Sequence, residues 1–401
     1  MRKHYLLYFI FSCLVLSSMG QDKKAKTDSA FKPSGKLWGY VIGDYYYKDH
    51  SDSFNRGGSN QYTGIEKTRN AFQLRRAYLG YDYEISPKFS AQVLLAAEDN
   101  ITTSTGSTSG DLLSDNKLAF YVKNANIRVR NLWKGTDLVV GQVATPAYSL
   151  LIEPTWGYRS IEKTISDIRK TPSFDLGLTL QGKFDPKKGN YGYNVMVGNG
   201  TGAKPENDKY KWFYGDIWAK FFDKKILVDL YADYQRLNWI PEWHHSRNML
   251  KGFVAYTTPQ FTLGVEGFIN SLTKDNFATK TAGGIDTLSV KAKGISVFAR
   301  GTVIKEKLAA FARFDTYNPD DKIDNTKYNK YVGNTTSYTD AGTKESFFTV
   351  GLDYTPIKNI HFMPNVWYNN YKNQSNPAAT AALKKDHDLV YRATFYYVFG
   401  K

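Results

Sequence analysis

Arginines recur at alternate positions of several short segments of this 401-residue chain, where they share a face with carboxylates. A face of guanidinium groups alone would favour anions, whereas mixed signs would order water and admit small polar solutes. The arginines on these faces are Arg76, Arg128, Arg130, Arg300, Arg313 and Arg392. The acids are Asp82, Glu98, Asp175, Asp229, Asp233, Glu266, Asp315 and Asp353. The mixture predicts a polar surface of weak selectivity.

The same arginines have a second interpretation. Arg128 and Arg130 could pair with carboxylates on neighbouring strands and brace a wall, because cross-strand ion pairs are common on polar sheet faces. Arg313 and Asp315, two residues apart on one face, have the same two interpretations.

Other arrangements predict no reaction chemistry. His244 and His245 are adjacent, but adjacent residues of an extended chain point apart and no third ligand follows at zinc spacing. No Ser/His/Asp order stands out among the six histidines. The sequence therefore predicts no catalytic residues, no metal and no cofactor.

The elements that carry these residues are strands. In "KILVDLYADYQ", at 225–235, apolar residues at even positions alternate with Asp229, Tyr231 and Asp233. A period of two residues indicates a strand with one apolar and one polar face. The pattern returns along the chain between residues 35 and 399, with no linker that would mark a domain boundary.

Connections between these strands alternate between short turns and long polar loops. The short turns lie at 86–88, 133–136, 185–189, 222–225, 257–260, 304–307 and 355–359. Seven short turns and eight long connections predict about 16 strands. The predicted fold is all-β: an antiparallel transmembrane barrel over 35–401, with short periplasmic turns and long extracellular loops. A soluble sandwich would not have systematically longer loops at one end.

The composition agrees with a barrel. Aromatic residues make up 15% of the chain, including 30 Tyr, while the mean hydropathy is −0.47. Tilted strands of about ten residues can cross a bilayer without any long apolar run. A barrel of this width is expected to enclose a water-filled lumen.

The one long apolar run lies at the beginning, after Arg2 and Lys3, and predicts a secretory signal peptide over residues 1–20, cleaved after Gly20. A retained anchor is the alternative, but the run is short for a membrane-spanning helix. Residues 21–34 would form a polar periplasmic segment, too short for the plug domain of a gated transporter. These features place the protein in the bacterial outer membrane, in contact with lipid.

The chain ends in "DLVYRATFYYVFGK", where Leu389, Tyr391, Ala393, Phe395, Tyr397 and Phe399 share one face. This face would meet lipid, and the strand would close the barrel against "GKLWGYVIGDYYY" near the beginning. The ending resembles the terminal signature of bacterial outer-membrane proteins, which implies recognition by the barrel-assembly machinery. Gly400 and Lys401 follow Phe399 and depart from that signature.

One long connection differs from the others. Residues 144–172 contain Leu150, Leu151, Ile152, Trp156 and Ile161, where the other loops are rich in Ser, Thr and Gly. An apolar loop in this position is expected to fold into the lumen and narrow it.

At this loop the sequence resembles the phosphate-selective porin O and P family. The resemblance rests on "GQ" at 141–142, Pro146, "YRSIEKT" at 158–164, "DLGLTLQG" at 175–182 and "FQLRRAYLGYDYEI" at 72–85. It implies an outer-membrane channel, assembled as a homotrimer, with basic residues along the pore. By the same resemblance, Arg159 and Lys163 would stand at the constriction, with Glu162 as their acidic counterpart.

The charge of the chain gives little support to anion selectivity. Loss of Arg2 and Lys3 with the signal peptide would leave 51 basic against 38 acidic residues, a net +13, but much of the excess lies in the turns and in residues 21–36. A nucleic-acid partner does not fit an exported barrel. The sequence therefore favours a porin for small polar solutes over a channel specific for phosphate. A non-conducting barrel, acting in adhesion or as a membrane enzyme, is the alternative.

Overall fold

The computed structural model describes residues 31–56, 61–98, 101–102, 108–109, 118–237, 245–334, 342–373 and 385–400. The predicted signal peptide, most of the polar segment 21–34, and His244 lie outside these residues.

Sixteen strands form a closed antiparallel barrel, which confirms the predicted fold. Each strand pairs with its neighbours in the chain, and the last strand pairs with the first. The strands, numbered β1 to β16 in chain order, are Ser34–His50, Asn70–Glu84, Phe89–Glu98, Tyr121–Trp133, Thr136–Ala144, Phe174–Lys183, Tyr191–Gly198, Trp212–Phe221, Ile226–Leu237, His245–Thr257, Phe261–Lys280, Ile285–Ile304, Leu308–Asn318, Thr343–Ile357, Ile360–Asn373 and Asp386–Phe399.

The two ends of the barrel differ as the turn pattern predicts. One end, the short-turn end, has the seven short connections, at 85–88, 134–135, 184–190, 222–225, 258–260, 305–307 and 358–359. At the opposite end, the long-loop end, one connection is shorter than the sequence predicts. The connection 281–284 is a four-residue turn, because β11 and β12 continue to 20 residues each. A short strand, Tyr328–Asn334, pairs with the end of β11.

Helix is nearly absent from the described residues, which contain α1 at Ile152–Trp156 and α2 at Ile165–Ile168. Neither of these two helices of the described residues approaches the roughly 20 apolar residues that a helical membrane span needs.

The strands have an apolar outer face and a largely polar inner face. In β9, Leu230 is 55% exposed on the outside, while Asp229 is 1% exposed on the inside. The outer face continues around the barrel through Val254, Leu352 and Tyr391. Because every strand is paired on both sides, the backbone N–H and C=O groups of the wall are satisfied, which a lipid environment requires.

The closing seam between β1 and β16 packs rings onto glycines. Gly39 pairs with Phe399, and Gly43 pairs with Phe395. A Cβ atom added at Gly43 would lie 2.0 Å from Phe395 and 2.8 Å from the backbone oxygen of Gln73. Only glycine leaves room for the ring across the seam.

Replacing this glycine is expected to weaken the seam. Gly43→Ala should destabilise the barrel by about 1–3 kcal/mol, the usual cost of overpacking. Gly252→Ala is the matched control, because its added Cβ would meet no atom closer than 3.9 Å. Urea unfolding of the two variants in detergent micelles measures the difference. Equal midpoints for the two variants would show that the Phe395 ring does not depend on Gly43.

Candidate functional site: the lumen loop and its charged face

Residues 145–173, between β5 and β6, turn into the barrel and divide its interior. Their apolar side chains Ile152, Trp156 and Ile161 are completely buried. These pack in one cluster with inward-facing wall residues, namely Met196, Trp212, Tyr214, Met249, Phe253, Phe298, Phe311 and Met363. One side of the loop, which we call the packed side, is therefore joined to the wall as a protein core is.

Aromatic contacts fix the packed side. The Trp156 ring lies 5.1 Å from that of Phe298, and the Tyr158 ring lies 4.5 Å from that of Phe311. Pairs of this kind contribute about 0.5–1.5 kcal/mol each beyond the area that they bury.

Wall arginines hold the irregular backbone of the loop. A loop buried in this way needs partners for its carbonyl oxygens, which helices and sheets would otherwise supply. Five arginines donate to loop carbonyls: Arg300 to Thr155 at 3.2 Å, Arg76 to Arg159 at 3.0 Å, Arg75 to Ser160 at 2.9 Å, Arg392 to Ile161 at 3.1 Å and Arg313 to Lys163 at 2.5 Å. Within residues 159–163 only the carbonyl of Glu162 has no arginine donor among these five, and it accepts from Trp156 Nε1 at 3.0 Å.

These contacts change the interpretation of the predicted pore-lining residues. Arg76 and Arg313 are at most 2% exposed, so they contact the loop backbone rather than open solvent. Arg300 is partly buried against the loop. Arg128 and Arg130 lie at the short-turn end, where they pair with Asp137 at 2.9 Å and Glu84 at 2.7 Å.

Arg75 joins Arg76 inside the barrel because β2 has a bulge. The pairing with β1 shifts register between Ile42 and Gly43, and both arginines become buried. A regular strand would have pointed Arg75 at lipid, at a cost of about 2–4 kcal/mol near the bilayer centre. The Arg75 guanidinium instead lies 3.2 Å from the carboxylate of Asp44.

Removing one of these arginines is expected to loosen the loop. Arg313→Met keeps the side-chain volume but leaves Asp315, 2.5 Å away, without its partner. Breaking a buried pair in this way costs about 3–5 kcal/mol of unfolding free energy. Arg130→Met is the control, since that pair is exposed and should cost under about 1 kcal/mol. Equal unfolding free energies for the two variants would show that Arg313 does not stabilise the loop.

The other side of the loop, facing β3 and β4, is polar. Arg159 contacts the carboxylate of Glu153 and lies 2.8 Å from Asp167 and 3.4 Å from Glu98. Lys123 of β4 lies 2.6 Å from Glu98. These five residues form what we call the charged cluster.

The charged cluster remains in contact with solvent. Its side chains are 10–24% exposed, in contrast to the packed side. It contains two cations and three carboxylates, so its formal charge is −1. Burial alone would lower the pKa of Arg159, but the surrounding carboxylates of Glu153, Asp167 and Glu98 together raise that pKa well above its usual value. The guanidinium therefore stays charged at any physiological pH.

The other two predicted constriction residues have different positions. Glu162 is 3% exposed and accepts hydrogen bonds from Trp367 at 2.8 Å and Gln61 at 3.2 Å. It ties the loop to β15 and to the first long connection. Lys163 borders the cavity on the long-loop side of the loop, together with Asp167.

Two cavities lie on opposite sides of the loop. The cavity towards the long loops has a volume of about 870 Å³ and is bordered by Lys163, Asp167 and Lys170. The cavity towards the short turns has a volume of about 470 Å³ and is bordered by Arg128, Leu150 and other residues. The two cavities share no lining residue, and residues of the loop border each of them.

Solved structures share this architecture. The outer-membrane channel DcaP of Acinetobacter baumannii matches with a TM-score of 0.58 and 12% identity, over 94% of this chain and 100% of that one. OmpT of Vibrio cholerae matches with a TM-score of 0.54 and 11% identity, over 94% and 100%. OmpF of Salmonella typhi, in complex with daunomycin, matches with a TM-score of 0.55 and 10% identity, over 90% and 97%.

The fold is that of these bacterial outer-membrane barrels. No protein-family model matches the chain, and no curated protein does. The resemblance to the phosphate-selective family therefore stays a prediction, whereas the porin-like fold does not depend on it.

Several residues of the porin-like lumen escaped the sequence interpretation. Arg75 was missed because strict alternation places it outside; the adjacent Arg75–Arg76 pair in a lipid-facing strand is itself a signal of a bulge. Lys123 was missed for the same reason, since the pairing of β3 with β4 shifts register beside it. Glu153 and Asp167 lie in α1 and α2, helices of five and four residues, which are too short for a periodic pattern to report which way a side chain points.

Proposed function

We propose that this protein is a passive channel of the bacterial outer membrane that admits small polar solutes and ions with weak charge selectivity. The observation that carries the proposal is the two-sided loop. Its packed side closes the space towards β7–β15, while its charged cluster stays partly exposed towards β3 and β4. Solutes would pass beside this cluster.

The charges favour general permeation over phosphate specificity. Four of the wall arginines that would make a basic pore, Arg75, Arg76, Arg313 and Arg392, are buried against the loop backbone. The charged cluster carries both signs, and its acids outnumber its cations. A strongly anion-selective path would instead need a basic ladder with few acids.

The remaining features fit a porin of the outer membrane. The exposed apolar outer face fits lipid, and the final aromatic strand fits recognition by the barrel-assembly machinery. In this orientation the short turns face the periplasm, after removal of a signal peptide near Gly20. We also propose a homotrimer; one of the matching structures, with a TM-score of 0.50, is described as a trimer form of Vibrio cholerae OmpT.

Liposome swelling tests the proposal. Vesicles that contain the purified protein should swell in isosmotic arabinose and glycine, and more slowly in larger sugars, because a narrowed water-filled path admits solutes by size. Vesicles without protein are the control. Absence of swelling in every solute would reject the channel and favour a barrel that acts in adhesion or catalysis.

A further inference from the structure

A second group of chemically capable side chains lies at the closing seam, at the long-loop end of the barrel. His50 of β1 and Asp386 and His387 of β16 approach each other there. The two imidazole rings stack with centroids 4.0 Å apart, and one candidate ligand atom from each of the three residues lies within 4.8 Å of the others. The three side chains are 19–35% exposed, so an ion in solution can reach them.

The local backbone explains why His50 meets Asp386 and His387, although more than 300 residues separate them in the sequence. The pairing of β1 with β16 shifts register between Lys48 and His50, where one extra residue forms a bulge. Bulges redirect side chains at the rims of barrels. The register shift brings His50 beside His387, across the seam.

The hydrogen bonds around the group prepare two of its members as ligands. His50 Nδ1 lies 2.8 Å from the carbonyl oxygen of His387, and since a carbonyl can only accept, Nδ1 carries the proton. Nε2 of His50 therefore keeps its lone pair, the arrangement usual for metal-binding histidines. Asp386 Oδ2 accepts from the backbone and hydroxyl of Ser53 at 2.9 and 3.0 Å, which fixes the carboxylate.

The imidazole of His387, 31% exposed, contacts the rings of His50 and Tyr368 and keeps its nitrogens available to an ion. Within the described part of the chain its imidazole has no hydrogen-bond partner; its Nδ1 lies 3.8 Å from Asp386 Oδ1, beyond hydrogen-bonding distance. By contrast, the neighbouring cross-seam pair of Lys48 and Asp388 is satisfied at 2.6 Å. An imidazole beside a fixed carboxylate and a second imidazole is a donor set for a metal ion.

We propose that His50, Asp386 and His387 bind one transition-metal ion, with Zn²⁺ as the best match. Two imidazoles and one carboxylate suit Zn²⁺, Cu²⁺ or Ni²⁺, whereas Ca²⁺ and Mg²⁺ prefer oxygen ligands alone. Tetrahedral Zn²⁺ with nitrogen ligands at about 2.0–2.1 Å requires donor atoms roughly 3.3 Å apart. In the structure the two ring planes are 11° apart and Nδ1 of His50 is the atom that lies 3.6 Å from Asp386 Oδ1, so both exposed rings would turn out of the stack to bring their lone pairs to this spacing; water would supply the fourth ligand.

The ion would join the first strand of the barrel to the last. Metal binding would therefore strengthen the seam at the long-loop end, and it is independent of whether the lumen conducts. The site is also separate from the charged cluster, with which it shares no residue.

Titration calorimetry of the full-length, tag-free protein in detergent, with ZnCl₂ alone, tests the proposal. We expect one Zn²⁺ per chain, and the visible absorption of tetrahedral Co²⁺ when cobalt replaces zinc. His387→Ala and Asp386→Asn should each weaken binding at least about tenfold. Asp386→Asn keeps the size of the side chain and an oxygen acceptor for Ser53, so it covers the case in which His387→Ala does not fold.

His361→Ala is the matched control. His361 is a partly exposed histidine that also faces a carboxylate, Asp353, at 2.8 Å, but it lies at the short-turn end. The His361→Ala variant should bind Zn²⁺ with the same affinity as the unmodified protein. Absence of binding to the unmodified protein would overturn the proposal, as would equal loss of binding in His361→Ala and His387→Ala.

Discussion

Deletion of residues 150–165 is expected to raise the single-channel conductance several-fold. This segment contains the buried side chains of α1 and all five of the carbonyls that accept hydrogen bonds from wall arginines, so its removal opens the space that the packed side fills against the wall. The remaining ends can still be joined, because Ala144 and Phe174 are paired neighbours in β5 and β6. The arginines released by the deletion would face water and be solvated.

A matched deletion controls for general damage. Removal of residues 325–340 takes the same number of residues from the connection between β13 and β14, at the same end of the barrel. It should leave the conductance nearly unchanged. Planar-bilayer recordings of the two deletions decide the matter: an unchanged conductance after loss of 150–165 would show that the loop does not limit permeation.

Neutralising Arg159 is expected to raise the permeability of the channel to cations relative to anions. In Arg159→Gln the cluster keeps Glu98, Glu153 and Asp167 but only one cation, Lys123, so its formal charge falls from −1 to −2. One unit charge acting across about 4 Å of water is worth about 1 kcal/mol, or roughly a fivefold change in the cation-to-anion permeability ratio. The reversal potential across a KCl gradient measures this ratio.

The control removes a positive charge elsewhere. Lys305 lies in a short turn with its side chain 91% exposed, so Lys305→Gln should leave the reversal potential almost unchanged. The double variant Glu98→Gln/Asp167→Asn should shift it in the opposite direction. If Lys305→Gln moved the potential as far as Arg159→Gln, selectivity would arise from the overall charge and not from the cluster.

Much of the fold follows from local rules that a sequence states directly. A strand with one side in lipid must alternate, and Leu230 beside Asp229 shows that alternation without ambiguity. The short turns, the strand number and the pairing of the aromatic final strand with β1 follow from the same pattern. The barrel fold could be predicted because each strand faces lipid on one side and the polar interior on the other.

The pattern weakens where the wall receives the loop. Strand β10 alternates poorly in sequence, because its inward face carries Met249 and Phe253, which pack against the loop and not against water. The arginines illustrate the same limit. Sequence alone places Arg313 and Arg392 inside the barrel, but whether they meet solvent or loop carbonyls depends on the path of residues 155–163, which has no period.

The charged cluster was beyond the sequence for a further reason. Arg159 was found through family resemblance, yet its partners come from β3 and from the two short helices of the loop, α1 and α2. Such an arrangement depends on bulges and on tertiary packing, neither of which alternation reports. The seam histidines are a similar case, since His50 and His387 come together only when the barrel closes.

The reversal potential of the unmodified protein in a planar bilayer, measured across a KCl gradient and again after addition of phosphate, tests the central claim most directly. We expect a stable open conductance, a potential near zero with at most a slight preference for cations, and no block by phosphate. A strongly anion-directed potential together with phosphate block would contradict weak selectivity at a mixed-charge constriction, and absence of conductance would contradict the channel itself.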